Sequence, residues 1–286
     1  MPRIAWATGA RFAAADPDLP RLADAARRAG VDSRVAVWDD PAESWDDDLV
    51  VVRSCWDYVP RRGKFLTWAQ TVPRLANPAA TIGWNTDKTY LAELAALGVA
   101  VVPTAWNATQ REDLPAADTG VAWVVKPTVS AGSADTARWS DVEQALDHSR
   151  TLLAAGRPTM VQPYLDAVDR DGETGLLFFG GRFSHAFVKG ALLEQDVAPR
   201  AEPELSEHIA PRTPRPDQVA LAERVLDAAT RCLGDQPLYA RIDLVDGPDG
   251  APRLLELELT EPSFFLEHAG PEAADAVVSA ALDRIG

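Results

Sequence analysis

The stretch LYARIDLVDGPDGAPRLLELELTEPSFFLE, Leu238–Glu267, decides how the rest of this sequence is read. Leu238, Ala240, Ile242 and Leu244 alternate with Tyr239, Arg241 and Asp243. Leu255, Leu257 and Leu259 alternate with Glu256, Glu258 and Thr260, again at the period of two that a strand requires. Asp246-Gly247-Pro248-Asp249-Gly250 between them has the composition of a turn, so the stretch predicts a β-hairpin. Pairing Asp243 with Glu256 sets Arg241 opposite Glu258 and Ile242 opposite Leu257, the register that gathers apolar side chains on one face and polar ones on the other. Like charges directly opposite each other are unfavourable unless a cation lies between them. A hard divalent ion held by carboxylates and phosphate oxygens fits that role. The competing reading is an edge hairpin whose charges face solvent and discourage aggregation.

A chain of 286 residues can bury a substantial core and is long enough for two or more domains. Its 43 acidic and 28 basic residues give a formal charge of -15, which argues against nucleic acid or an anionic membrane as a general partner. A local cationic cleft for a phosphate ligand remains compatible with that balance. No apolar run approaches the roughly 18 residues of a membrane span, and the amino terminus MPRIAWATGARF lacks the apolar core of a signal peptide, so a cytoplasmic protein is expected. Cys55 and Cys232 form no metal-ligand spacing, and the histidines make no zinc motif. His148, in a polar helical stretch, is expected on the surface.

The residues up to about 84 read as a small open α/β sheet, with strands at Ile4–Ala7, Ser33–Trp38 and Leu49–Val52 and helices at Leu19–Ala29 and Gly63–Leu75. Arg53-Ser54-Cys55-Trp56-Asp57-Tyr58 follows the last of these strands, where open α/β sheets place ligands. In a substrate site Arg53 would grip a carboxylate, Ser54 would donate a hydrogen bond and Asp57 would meet an ammonium. In an ordinary loop the same residues would be a buried tryptophan and a surface ion pair.

A second unit is expected over 85–165 and a third over 166–286. Asn85-Thr86-Asp87-Lys88 opens the helical Tyr90–Leu97, and a short strand is expected at Val99–Val102. Val121–Val125 delivers Lys126-Pro127, followed by Thr128-Val129-Ser130-Ala131-Gly132-Ser133-Ala134-Asp135. Small residues let main-chain N–H groups approach a polyphosphate, although such a loop taken alone is more often a flexible connection. Lys88 taken alone is an ordinary solvated lysine. Val142–Leu153 reads as a helix and Thr159–Leu165 as a strand leading through a polar linker, Asp166–Gly172, into paired strands at Thr174–Gly180 and Phe183–Val188. The proline-rich Gly190–Pro216 predicts a long loop over the site, and Asp217–Leu233 and Pro271–Ile285 predict amphipathic helices.

Taken in order, a first lysine, a strand ending in Lys-Pro, a small-residue loop, a hinge strand and a final hairpin with Arg-x-Asp and Glu-x-Glu resemble the ATP-grasp superfamily. The resemblance runs from Asn85 to the end, with the earlier residues similar to the α/β domain that precedes it. It implies α/β and α+β architecture, two subdomains clamping ATP, and the following roles. Lys88 and Lys126 would touch the phosphates, with Ser130, Gly132 and Ser133 closing over them. Main-chain atoms around Gln162, Tyr164 and Leu165 would meet adenine, with Glu173 near the ribose. Asp243, Glu256 and Glu258 would hold two Mg²⁺ ions, and Arg241 would stabilise the transferring phosphoryl group. Many members have Glu-x-Asn where this chain has Glu256-Leu257-Glu258, which leaves the role of Glu258 open.

Within the superfamily, RSCWDY, NTDKTYL, FSHAFVKG and LLELELTEPSFFLEH are most similar to bacterial ligases of the cycloserine synthetase (O-ureidoserine cyclo-ligase) type, which serve antibiotic biosynthesis. Such an enzyme activates a carboxylate as an acylphosphate that a nitrogen attacks. Lys189, Arg200 and Arg53 are the candidate contacts to the substrate carboxylate, each with an alternative as a surface cation. His185 and His268 are candidate bases or hydrogen-bonded structural residues. The expected partner is a small, amino-acid-like molecule, with a homodimer as an open alternative to a monomer. A small-molecule phosphotransferase and a non-catalytic ATP-binding module are the competing functions.

Overall fold

Three sheets carry the strands, as seen in a computed structural model that describes residues 1–117, 121–201 and 208–286. Pro203, one of the prolines expected in a loop over the site, lies outside the described residues. The first sheet is parallel, in the order β2-β1-β3, and is built from β1 (Arg3–Thr8), β2 (Asp32–Val37) and β3 (Leu49–Val52), with α1 (Asp18–Arg28) and α2 (Arg62–Thr71). α2 stops short of the expected Leu75. Pro73 disfavours the helical conformation at the residue before it, and Val72 accordingly turns extended, with ψ of 118°.

After α3 (Ala79–Asn85) and α4 (Tyr90–Ala96) comes an antiparallel sheet in the order β4-β7-β5-β6. It comprises β4 (Ala105–Trp106), β5 (Trp123–Pro127), β6 (Ala137–Trp139) and β7 (Thr159–Pro163), with α5 (Val142–Ala154) packed on it. His148 corrects the surface expectation. It is buried on α5, and its Nδ1 accepts a hydrogen bond from Trp139 Nε1 at 3.1 Å.

The linker contains a short helix, α6 (Ala167–Asp171), and leads to the third sheet, antiparallel in the order β10-β9-β8-β11-β12. Its strands are β8 (Glu173–Phe179), β9 (Arg182–Lys189), β10 (Ile209–Pro211), β11 (Tyr239–Asp246) and β12 (Pro252–Glu258), accompanied by α7 (Pro216–Leu233) and α8 (Glu272–Ile285). Gly180 and Gly181 turn β8 into β9 with φ of 54° and 77°, the left-handed pair that a two-residue hairpin loop demands. Leu176, Phe178, Ala240, Ile242 and Leu244 pack on α4 and α7, while Leu177, Phe179 and Tyr239 on the other face meet α1 and α8. That second face is therefore covered at one end only. Its other end carries Arg241 and the carboxylates.

The hairpin has the expected register, Arg241 with Glu258, Ile242 with Leu257 and Asp243 with Glu256. The register then shifts so that Leu244 pairs with Leu254, and Leu255 is the extra residue of a β-bulge. A bulge sets two successive side chains on one side. Leu254 and Leu257 enter the core while Leu255 joins Glu256 on the open face, which corrects the simple alternation expected for Leu255.

β12 is an edge strand, and chain 85–102 caps its edge in place of another strand. Leu254 N–H donates to Ala100 O at 2.8 Å and Val102 N–H donates to Leu254 O at 3.0 Å. The Tyr90 hydroxyl accepts from Leu257 N–H at 2.9 Å and donates to Leu257 O at 2.8 Å. The Asn85 amide donates to Leu257 O at 2.8 Å and accepts from Leu259 N–H at 2.7 Å. The strand expected at Val99–Val102 is reduced to a single bridge between Val101 and Leu254. Because Tyr90→Phe strands the buried Leu257 N–H, while the Leu257 carbonyl keeps its bond from Asn85, it is expected to cost about 1–3 kcal/mol. Urea unfolding of both proteins checks this, and an unchanged midpoint would show that the edge does not rely on the phenol.

Candidate active site

The open face of β11 and β12 floors a cleft of about 420 Å³, within the range of small-molecule sites. β5 and β7 contribute Val124, Lys126 and Gln162 to its walls, and the loop after β5 contributes Ser130, Gly132 and Ser133. Tyr164, Leu165, Glu173, Lys189, Arg241, Glu256 and Glu258 line it as well. Most residues singled out in the sequence, from elements far apart in the chain, therefore share one cavity.

Lys88 joins its parts. Its Nζ lies 3.1 Å from Glu256 Oε1 and donates to Ser130 O at 2.8 Å, so one ammonium ties the α4 segment to both the small-residue loop and the hairpin. Gly132 and Ser133 each have φ of 56°, the left-handed conformation from which anion-binding concavities of main-chain N–H groups are made. Lys126 is buried at the end of β5, and that burial lowers its pKa against the pull of Glu256. Lys189 pairs with Glu173 at 3.0 Å.

Val102, Val245, Leu255, Leu165 and Val168 form an apolar slot beside these cations. The Tyr164 N–H donates to Ala122 O at 2.7 Å and its hydroxyl to Asp169 at 2.6 Å, while the Arg138 guanidinium lies 3.4 Å from its ring centre. Gln162 donates to Thr104 Oγ1 at 2.9 Å.

On the floor, Arg241 stands between two carboxylates. Nε and Nη2 donate to Asp243 at 3.0 and 2.8 Å, and Nη2 also donates to Glu258. Asp243, expected as a metal ligand, is buried against this guanidinium and is not among the residues that line the cleft. Burial raises the Glu256 pKa, but Lys88 and then Lys126 outweigh it and hold the carboxyl ionised. Burial pushes Glu258 up, and repulsion from Glu256 and Asp243 adds to the effect while Arg241 opposes it. Glu261, three residues past β12, is pushed up to about 8 by burial and then by Glu258. Among the described residues no group of three metal-ligating side chains converges on one point. Two facing carboxylates with surplus negative charge nevertheless suit Mg²⁺, which is commonly held by one or two carboxylates with phosphate oxygens.

The expected substrate contacts need correction. Arg53 is fully buried, donates to Asp18 at 2.9 Å and to Pro262 O at 2.7 Å, and lies 3.6 Å from the Phe264 ring centre. Ser54 is buried against Thr8 Oγ1 at 2.7 Å. Asp57 accepts from Trp38 Nε1 at 3.0 Å and pairs with Arg61. None of the three lines the cleft: Arg53 is committed to Asp18 and the Pro262 carbonyl, Ser54 to Thr8, and Asp57 to Trp38 and Arg61. Arg200 lies on a separate small pocket behind the Ser133 loop, where its carbonyl accepts from Asp135 N–H. His185 is a structural residue that bonds Phe264 O at 2.8 Å, whereas His268 does line the cleft. Trp56, Tyr58, Glu261 and Phe265 also line the cleft, and the sequence reading did not single them out as site residues. Trp56 and Tyr58 belong to the stretch that was singled out, so the segment was found and the wrong side chains chosen. Phe265 gave no sequence signal, and its φ of 50° appears only in the structure.

Known proteins place this architecture. Residues 4–77 match the family model of the D-cycloserine synthetase DcsG N-terminal domain. Over 278 residues the chain is 40% identical to the cycloserine biosynthesis protein DcsG of Streptomyces lavendulae, covering 92% of each chain. The crystal structure of D-cycloserine synthetase DcsG superposes with a TM-score of 0.91 at 38% identity, covering 99% of this chain and 100% of that one. The ATP-grasp ligase PsnB, solved with a precursor variant, Mg and ADP, shares the fold at 16% identity, with a TM-score of 0.65 over 99% and 98% of the two chains. The chain belongs to the DcsG family of D-cycloserine synthetases, built on the ATP-grasp fold.

Proposed function

We propose that this protein is an ATP-dependent carboxylate–amine ligase that converts O-ureido-D-serine into D-cycloserine. The observation that carries the reading is the Lys88–Glu256 contact, which brings a phosphate-binding lysine and a metal-binding carboxylate to the same point of a cleft that also holds Lys126 and Arg241. A carboxylate is a poor acyl donor because its leaving group would be oxide. Transfer of the γ-phosphoryl group of ATP makes an acylphosphate, and ADP leaves. The aminooxy nitrogen of the same molecule then attacks the carbonyl carbon, the bond to phosphate breaks and the ring closes. Hydrolysis of the carbamoyl group from that nitrogen consumes one water molecule and releases carbon dioxide and ammonia.

In this reading Lys88 and Lys126 hold the phosphates, with Ser130, Gly132 and Ser133 over them, and the apolar slot takes adenine. Since the Tyr164 N–H is already committed, Leu165 offers the main-chain contact to the base. Glu173 lies toward the ribose and holds Lys189 for the substrate side. Glu256 and Glu258 hold magnesium, which supplies charge neutralisation to the transferring group. Two ions rather than one follow from the additional carboxylate at Glu258, and Asp243 joins the ligand set if Arg241 turns from it toward the phosphoryl group. The Ser130–Asp135 loop, with Leu192 and Leu193 opposite, keeps water from the acylphosphate. No helix among the described residues is long and apolar enough to cross a membrane, which accords with cytoplasmic work. A homodimer is part of the same proposal.

Phosphate and ADP are expected to appear on addition of O-ureido-D-serine, with D-cycloserine identified by mass spectrometry. ATP turnover without any such product would refute the assignment. Glu256→Gln is expected to abolish turnover with the fold intact by circular dichroism, and Arg241→Met to lower kcat by about 10²–10³.

The same charge balance sets a pH dependence. Glu261 goes from an ordinary 4.5 to about 8 in the folded chain, so the folded state binds its proton more tightly. That contribution to stability is complete below about 4.5 and is lost as the pH rises through about 8. The ligand-free melting temperature is expected to fall between these limits, and Glu261→Gln, which cannot ionise, to flatten the fall. Equal slopes for the two proteins would remove Glu261 as its source.

A further inference from the structure

We propose that Glu261 is the residue that selects an α-amino acid, by receiving the substrate's ammonium group between its carboxylate and the aromatic side chains of Trp56 and Tyr58. This rests on the amino-acid ligase reading above and adds the recognition of the substrate to it.

The acidic residues of the cleft divide cleanly. Asp18 is paired with Arg53, Glu173 with Lys189, Glu256 with Lys88, Glu258 with Arg241, and Glu267 lies 3.4 Å from His268. Among the described residues no lysine, arginine or histidine forms an ion pair with Glu261, although it lines the same cavity. Lys88 is the cation whose field reaches it most strongly, and Lys88 is already committed to Glu256. What Glu261 has beside it on the cleft wall instead are the aromatic side chains of Trp56 and Tyr58. A cleft carboxylate without a protein cation is complementary to a cationic ligand, and burial strengthens that preference.

Its main chain is fixed by Trp56, whose Nε1 donates to the Glu261 carbonyl at 3.0 Å, and Tyr58 beside it is buried and stacked on Phe65 at 5.0 Å between ring centres. Both aromatic residues line the cleft, and aromatic faces attract ammonium groups. The chemistry of the substrate supplies the remaining argument. The carboxylate to be phosphorylated must lie at Arg241 and Glu258, and in an α-amino acid the ammonium sits on the adjacent carbon. The ammonium site must therefore neighbour Glu258. Glu261 meets that condition, since it follows Glu258 by three residues and lines the same cleft. Asp57, the residue that the sequence offered for this contact, is occupied by Arg61 and Trp38.

The test is calorimetric titration of the full chain, loaded with Mg²⁺ and ADP, using O-ureido-D-serine and its analogue with hydrogen in place of the α-amino group. Wild type is expected to bind the amino acid about 10- to 100-fold more tightly than the analogue. Glu261→Gln is expected to weaken the amino acid by a similar factor without weakening the analogue. Equal binding of both ligands by wild type, or a variant that loses affinity for both alike as a metal ligand would, overturns the assignment of Glu261 alone if wild type still makes D-cycloserine. Failure of wild type to bind O-ureido-D-serine at all overturns this inference and the proposed function together. The comparison of the two ligands on wild type decides the matter even if a variant fails to fold. Binding preference for the amino acid without ring formation would leave Glu261 assigned and refute only the cyclisation.

Discussion

The free edge of β12 is the constraint from which the active cleft follows. A strand at the margin of a sheet leaves its outward N–H and C=O groups unpaired, and burying them without partners is costly. Here Asn85, Tyr90, Ala100 and Val102 supply those partners. Lys88 lies between Asn85 and Tyr90 on the same short segment, so the bonds that seal the edge also set its ammonium against Glu256. Its second bond, to Ser130 O, extends the same fixation to the small-residue loop. One requirement of sheet formation thereby brings three parts of the site into register.

Charge then divides the cleft. Lys88, Lys126 and the left-handed turn at Gly132 and Ser133 make one end receptive to anions. At the other end burial, and then repulsion from neighbouring carboxylates, pushes the carboxyls of Glu258 and Glu261 up. Arg241 offsets part of this by bonding both Asp243 and Glu258. In the reading proposed above, magnesium on the nucleotide and the ammonium group of the substrate bring the positive charge that these carboxyls lack. The formal charge of -15 says nothing about this division, which is local.

How much of this the sequence revealed depends on the range over which each residue finds its partners. The hairpin register was legible because a period of two and a single shared apolar face allow one alignment. The bulge was not, since Leu254 and Leu255 are adjacent leucines and nothing in the pattern says which one is extra. Lys88 and Lys126 were legible as parts of an ordered set of motifs, though neither carries a signal alone. Arg53, Ser54 and Asp57 failed as substrate contacts because exposure cannot be read locally. The acceptors of Arg53, Asp18 and the Pro262 carbonyl, are 35 and 209 positions away. Glu261 lies just beyond the alternating pattern, so period arguments ended before reaching it.

The fate of Arg53 also explains what the N-terminal sheet contributes. A buried guanidinium is expensive unless its hydrogen bonds are satisfied, and a buried ion pair adds little net stability. It can, however, fix a chain path. Asp18 accepts not only Arg53 but also the N–H groups of Phe264 and Leu266, each at 2.8 Å, so the pair grips the loop on both sides of Phe265. Phe265 sits in the left-handed region at φ 50°, a conformation that persists only when its surroundings enforce it. The same ion pair anchors the Pro262 carbonyl, next to Glu261, while Trp56, just beyond Arg53 in the chain, holds the Glu261 carbonyl. The end of the parallel sheet therefore acts on the substrate at one remove: its charges are consumed in holding the loop, and the loop presents the carboxylate.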